Sequence, residues 1–149
     1  MPNIIGDIAG NYNTLMALLK QMPDEEVISV GDMIDRGPHS KQVLEWFMKN
    51  GTAVLGNHEH LLYTSQTDSY MADIFLRNGG IATIQSFFPE ADVNRLNGKH
   101  YMYGWLQDET NPTQDPWPTK TEYFKYCLSF IPEDIFKWIQ SLSIYFSRT

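Results

Sequence analysis

Apolar residues come first in short runs and then at helical spacing, and the alternation repeats. Asn3 to Ile5 reads as a short buried strand. Leu15, Leu18 and Leu19 then recur as one face of a helix that Asn11 or Asn13 can cap and that Pro23-Asp24 ends. Glu26 to Val30 reads as a second strand. Val43, Leu44, Phe47 and Met48 form the stripe of a second helix, with Ser40 as its cap and Asn50-Gly51 as its stop. Thr52 to Leu55 is the third strand. The order β-α-β-α-β predicts an α/β fold with a parallel sheet and right-handed crossovers.

Downstream the pattern turns helical. A helical section starts near Leu61-Leu62-Tyr63, and a helix is expected over Asp68 to Leu76, stopped by Asn78-Gly79-Gly80. Another is expected over Ile81 to Phe88, closed by Pro89. Asn94 to Thr119 has little periodicity and carries Pro112, Pro116 and Pro118, so it reads as a loop, either a cap over the site or a linker. Thr121 to Phe130 reads as a helix, Pro132 starts a last helix with Ile135, Phe136 and Ile139 on one face, and Leu142 to Phe146 reads as a strand.

The chemistry lies where the strands end. Gly6-Asp7-Ile8-Ala9-Gly10 follows the first, Gly31-Asp32-Met33-Ile34-Asp35-Arg36-Gly37 the second and Gly56-Asn57-His58-Glu59 the third. In an open α/β sheet, ligands bind outside the carboxyl ends of the strands. Asp7, Asp32 and Asn57 are hard oxygen donors suited to Mg²⁺ or Mn²⁺, and added imidazoles would suit Mn²⁺, Fe or Zn²⁺. A central carboxylate such as Asp32 could bridge two cations, whose bound hydroxide would attack phosphorus in line. Arg36 offers a fork to phosphate oxygens, and His58 could protonate the leaving oxygen, with Asp35 holding its tautomer. Plainer readings stand beside these. An Asp after Gly can serve only an Asx-turn. Arg36 can pair with Asp35. Glu59 reads as structural, His39 and His100 as surface or loop residues, and His60 as a minor site candidate.

The chain has 149 residues, enough for one domain with a core. Its net charge of −7 argues against nucleic-acid binding. The single cysteine, Cys127, excludes an intramolecular disulfide and a cysteine-based zinc site, and reads as a packed core residue. With no visible signal peptide and no apolar run near the roughly 20 residues of a membrane helix, the expectation is a cytoplasmic protein without membrane contact.

The three linked motifs resemble the opening signatures of the calcineurin-like metallophosphoesterases, in the form of the phosphoprotein phosphatase branch and its bacterial and phage serine/threonine phosphatases. Asn78-Gly79-Gly80 followed by Thr83 is similar to a further feature of the bacterial and phage members. The resemblance implies a metal-dependent hydrolase built as an α/β sandwich, here its first half plus a helical cap region. It implies two divalent metals, with manganese usual in bacterial members and iron, zinc, magnesium or nickel as alternatives. By it, Asp7 binds the first metal, Asp32 bridges, Asn57 binds the second, His58 is the general acid supported by Asp35, and Arg36 and Asn57 meet the phosphate. The implied substrate is a phosphorylated protein side chain or a nucleotide-type phosphoester.

Two departures qualify this. The first signature normally carries a metal-binding histidine where this chain has Ala9. The family's later metal-binding histidines follow a strand like Leu142 to Phe146, and this sequence stops at Thr149. The expectation is therefore a single domain over 1–149, truncated before those histidines, with impaired activity. A sheet that ends early exposes an edge, so the expectation is a homodimer or a poorly soluble monomer. The competing functions are a dinucleoside tetraphosphatase and a catalytically dead pseudo-phosphatase acting as a binding module.

Overall fold

The computed structural model describes residues 1–98 and 119–145. Three parallel strands lie in the order β1 (Asn3–Ile5), β2 (Val27–Ser29), β3 (Thr52–Ala53). Asn3 pairs with Val27, and Ile28 with Thr52. Between them run α1 (Tyr12–Leu19) and α2 (Ser40–Asn50). Then follow α3 (Asn57–Ser65), α4 (Ser69–Phe75), a π-type turn at Leu76–Gly80 and α5 (Ile81–Phe87). A single-turn α6 (Val93–Leu96), α7 (Lys120–Leu128) and α8 (Glu133–Ser141) complete the described elements. The β-α-β-α-β opening is as the sequence predicts, and the mixed α/β layout fits part of a sandwich.

The core is continuous. Val27 and Ala53 of the sheet pack with Leu15, Val43, Leu44 and Phe47 of α1 and α2, and onward with Leu62, Phe75, Ile84, Phe124 and Ile139. The helices cover one face of the sheet with apolar stripes, which supplies most of their stability. Cross-strand partners Ile4, Ile28 and Thr52 share the other face, where Ile4 is 63% exposed.

Several element ends differ from the sequence reading. The strands are shorter, because pairing stops where the chain leaves the sheet to build the loops. Ser40 does not cap α2. It is the first helical residue, after His39, and its hydroxyl turns inward to the Asp35 amide. Asn11 precedes α1, yet its side-chain amide donates to the carbonyls of Ile8 and Ala9 rather than accepting from the helix. Asn13 lies inside α1, which stops at Leu19, ahead of Pro23. Leu142 to Tyr145 forms no strand, and Phe146 lies outside the described residues. One bond remains of that expectation: the Leu55 amide donates to the Ser143 carbonyl at 2.7 Å, just past β3. Most of the proline-bearing loop and His100 also lie outside the described residues, while its start is the α6 turn.

Candidate active site

Each strand ends in a loop, and the three loops are tied to one another through the backbone. The Ala9 amide donates to the Asp32 carbonyl at 3.0 Å, and Gly10 to Met33 at 2.8 Å. The Gly37 amide returns to the Ala9 carbonyl at 2.9 Å. Gly31 crosses Gly56 so closely that a Cβ on Gly31 would lie 2.7 Å from the Gly56 nitrogen. Gly31 also takes φ +98°, which glycine adopts without steric cost.

Among the described residues, five other than glycine take left-handed backbone angles: Asp7, Ala9, Asp32, Asp35 and Arg36. All belong to the first two motifs. Such conformations are held only where surrounding structure over-determines them, and they gather at functional sites.

Glu59 supplies much of that hold. It is fully buried, and it accepts backbone N–H groups from Asp32 (2.9 Å), Gly56 (3.1 Å), Met33 (2.7 Å) and Ile34 (3.2 Å). Burial pushes its carboxyl pKa up, and the bonds from Met33 and Asp32 oppose the rise. Glu59 is thus the brace between the second and third loops.

Asp35 is fully buried as well. Its Oδ2 lies 2.6 Å from His58 Nδ1, and its Oδ1 accepts the Thr83 hydroxyl at 2.6 Å. Burial raises its pKa, and the bonds to Thr83 and His58 pull it back. With the carboxylate ionised, the proton on the His58 contact belongs to Nδ1, which leaves Nε2 for other partners. Both Asp35 oxygens are engaged in this way. The alternative Arg36–Asp35 ion pair is not formed among the described residues.

Arg36 is exposed and rests on the turn between α4 and α5. Its amide donates to the Gly79 carbonyl at 3.1 Å. A Cβ on Gly79, at φ +102°, would lie 2.7 Å from Arg36 Cγ. The Asn78-Gly79-Gly80 turn is therefore shaped around Arg36.

The oxygen donors are less gathered. Asp32 is half-buried and its Oδ1 accepts the His58 amide at 3.0 Å, while Asp7 and Asn57 are exposed at their loop tips. Among the described residues, no group of three or more His, Cys, Asp or Glu side chains forms a metal site. A divalent ion of the Mg²⁺ type demands near-octahedral coordination. Two carboxylates and one amide do not furnish two such ions, and Ala9 adds no donor. The described residues therefore do not fit a two-metal centre.

Ser40 and Thr83 are the residues that sequence reasoning missed. Thr83 was visible only as part of a motif, without a role. The available signal was a hydroxyl beside Ile84 at a core position of a helix.

Residues 3–141 match the family model described as calcineurin-like phosphoesterase. The chain belongs to that family. The family's characteristic chemistry is phosphoester hydrolysis with two divalent metals. Serine/threonine-protein phosphatase 1 of Salmonella typhimurium is 38% identical over 82 residues, which is 52% of this chain and 38% of that protein. A symmetrical bis(5'-nucleosyl)-tetraphosphatase of Methylobacillus flagellatus is 35% identical over 100 residues, 62% of this chain and 34% of that protein. Its counterpart in Salmonella paratyphi A is 45% identical over 67 residues, 40% of this chain and 24% of that protein. This calcineurin-like chain thus spans well under half the length of these curated relatives. No helix among its described residues is long and apolar enough to cross a membrane.

Proposed function

We propose that the chain carries the acid and phosphate-holding half of a phosphomonoester hydrolase of the serine/threonine-phosphatase type, and that its own activity is impaired. The observation behind this reading is the 2.6 Å contact between His58 and buried Asp35, with Arg36 next in sequence. Asp35 holds the imidazole so that Nε2 faces the leaving oxygen. As the phosphorus–ester oxygen bond breaks and water adds to phosphorus, the proton on Nε2 passes to that oxygen. Arg36 grips the remaining phosphoryl oxygens as a fork, and the Asn57 amide adds a hydrogen bond. Asp7, Asp32 and Asn57 would offer oxygen to a divalent ion, an all-oxygen set suited to Mn²⁺ or Mg²⁺.

A phosphorylated serine or threonine peptide is the substrate we propose, on the strength of the phosphatase relative. The tetraphosphatase relatives support a second reading, hydrolysis of a dinucleoside polyphosphate. Side-by-side assays of a phosphopeptide and a dinucleoside tetraphosphate in Mn²⁺ separate the two. Preference for the peptide, abolished by His58→Ala, is expected. No hydrolysis of either by the chain, with Arg36-dependent phosphate binding retained, would instead make it a binding module. A reducing, cytoplasmic setting suits the lone, buried Cys127. A second copy is the partner we propose across the sheet, where Ile4 and Val30 are exposed, and concentration-dependent sedimentation tests it.

A further inference from the structure

We propose that Thr83 is a positioning residue for the Asp35–His58 pair, aiming the carboxylate from a helix 48 residues further along the chain. This rests on the reading of His58 as the acid.

A carboxylate held at one oxygen can still turn, because its last torsion is broad and roughly two-fold. Here the second oxygen is pinned by the Thr83 hydroxyl at 2.6 Å. Thr83 Oγ1 also accepts the Asp35 amide at 3.0 Å, which leaves its own proton to point at the carboxylate. The β-branched side chain is stiff at χ1. Ser40 Oγ stands 3.0 Å from Thr83 Oγ1 and 3.1 Å from the Asp35 amide, so the hydroxyl is backed from α2. Asp35, Ser40 and Thr83 are all fully buried. Packing alone would accept valine at position 83, since it has the same shape. A hydroxyl there serves the aspartate.

The test uses the full chain labelled with ¹⁵N. The His58 Nδ1–H resonance, assigned with His58→Gln, is compared at one pH in wild type, Thr83→Ser, Thr83→Val and Thr83→Ala. We expect the downfield, hydrogen-bonded resonance in wild type and the serine variant. It should be displaced or lost in the valine variant while backbone amide spectra stay native. A valine variant with the wild-type His58 resonance overturns the proposal. If valine prevents folding, alanine decides in the same way, because it only removes atoms. Hydrolysis of a phosphomonoester gives a second readout: kcat is expected to fall roughly tenfold in valine at unchanged KM and to return with serine. Absence of hydrolysis in wild type would sink the proposed function, and the resonance comparison would still judge Thr83.

Discussion

Glu59, on α3, accepts the backbone amide of Met33, in the loop after β2, at 2.7 Å. With its bonds from Asp32, Ile34 and Gly56, the contact makes one acidic side chain the brace between the second and third loops.

Glu59→Gln keeps the shape but turns an NH₂ group toward amides that need an acceptor. The expected cost is about 2–3 kcal/mol, read as a lower urea midpoint at unchanged slope. A midpoint within error of wild type would show that the brace is dispensable.

Gly79→Ala places a methyl group against Arg36 at a left-handed backbone angle. It should destabilise the chain by more than about 1 kcal/mol and weaken binding of inorganic phosphate. Calorimetry on the folded variant checks the second effect. Unchanged phosphate affinity would detach Arg36 from the anion.

Asp35 predicts a particular pH dependence. Its folded pKa lies above the ordinary carboxylate value of 3.8 because of burial. Folding therefore takes up a proton as pH rises from 3.8 toward the folded value, and stability falls across that window. Asp35→Asn removes this contribution. Subtracting the variant's urea midpoints from those of wild type over a pH series should leave a difference that falls with pH. A difference that rises would reverse the assignment.

Position 9 tests the metal reading. Its backbone is left-handed, φ +48°, a region histidine visits more readily than most side chains. Ala9→His should strengthen Mn²⁺ binding at least about tenfold in a calorimetric titration. Equal affinity in both chains would show that side chain 9 does not face the ion.

Cys127 should resist thiol reagents in the native chain. It is fully buried, and burial pushes its thiol up to about 11. Reaction with a disulfide reagent at mildly alkaline pH should appear only after unfolding. Prompt native reaction would mean that α7 opens easily.

The sequence carried the β-α-β-α-β opening and the placing of the three loops because those depend on local signals: apolar runs, then Gly-Asp or Gly-Asn. It also suggested His58 with Asp35, since two residue types with complementary chemistry sat in neighbouring motifs. It left open whether Arg36 pairs with Asp35, and in the structure both Asp35 oxygens go instead to His58 and Thr83. Ser40 shows why the rest was hidden. A serine ahead of an apolar stripe is an ordinary cap signal, and only tertiary contact with Asp35 and Thr83 turns it inward. Strand ends were similarly lost, since Val30 and Leu55 look like strand residues and the pairing partner decides where a ladder stops.

The backbone ties at Ala9 carry a last consequence. Both its amide and its carbonyl are bonded to the neighbouring loop, to Asp32 and from Gly37. The loop's path is thereby written in main-chain atoms, and the side chain at that place is left without a structural duty. Chemistry there can be erased or reinstated without breaking either of those ties.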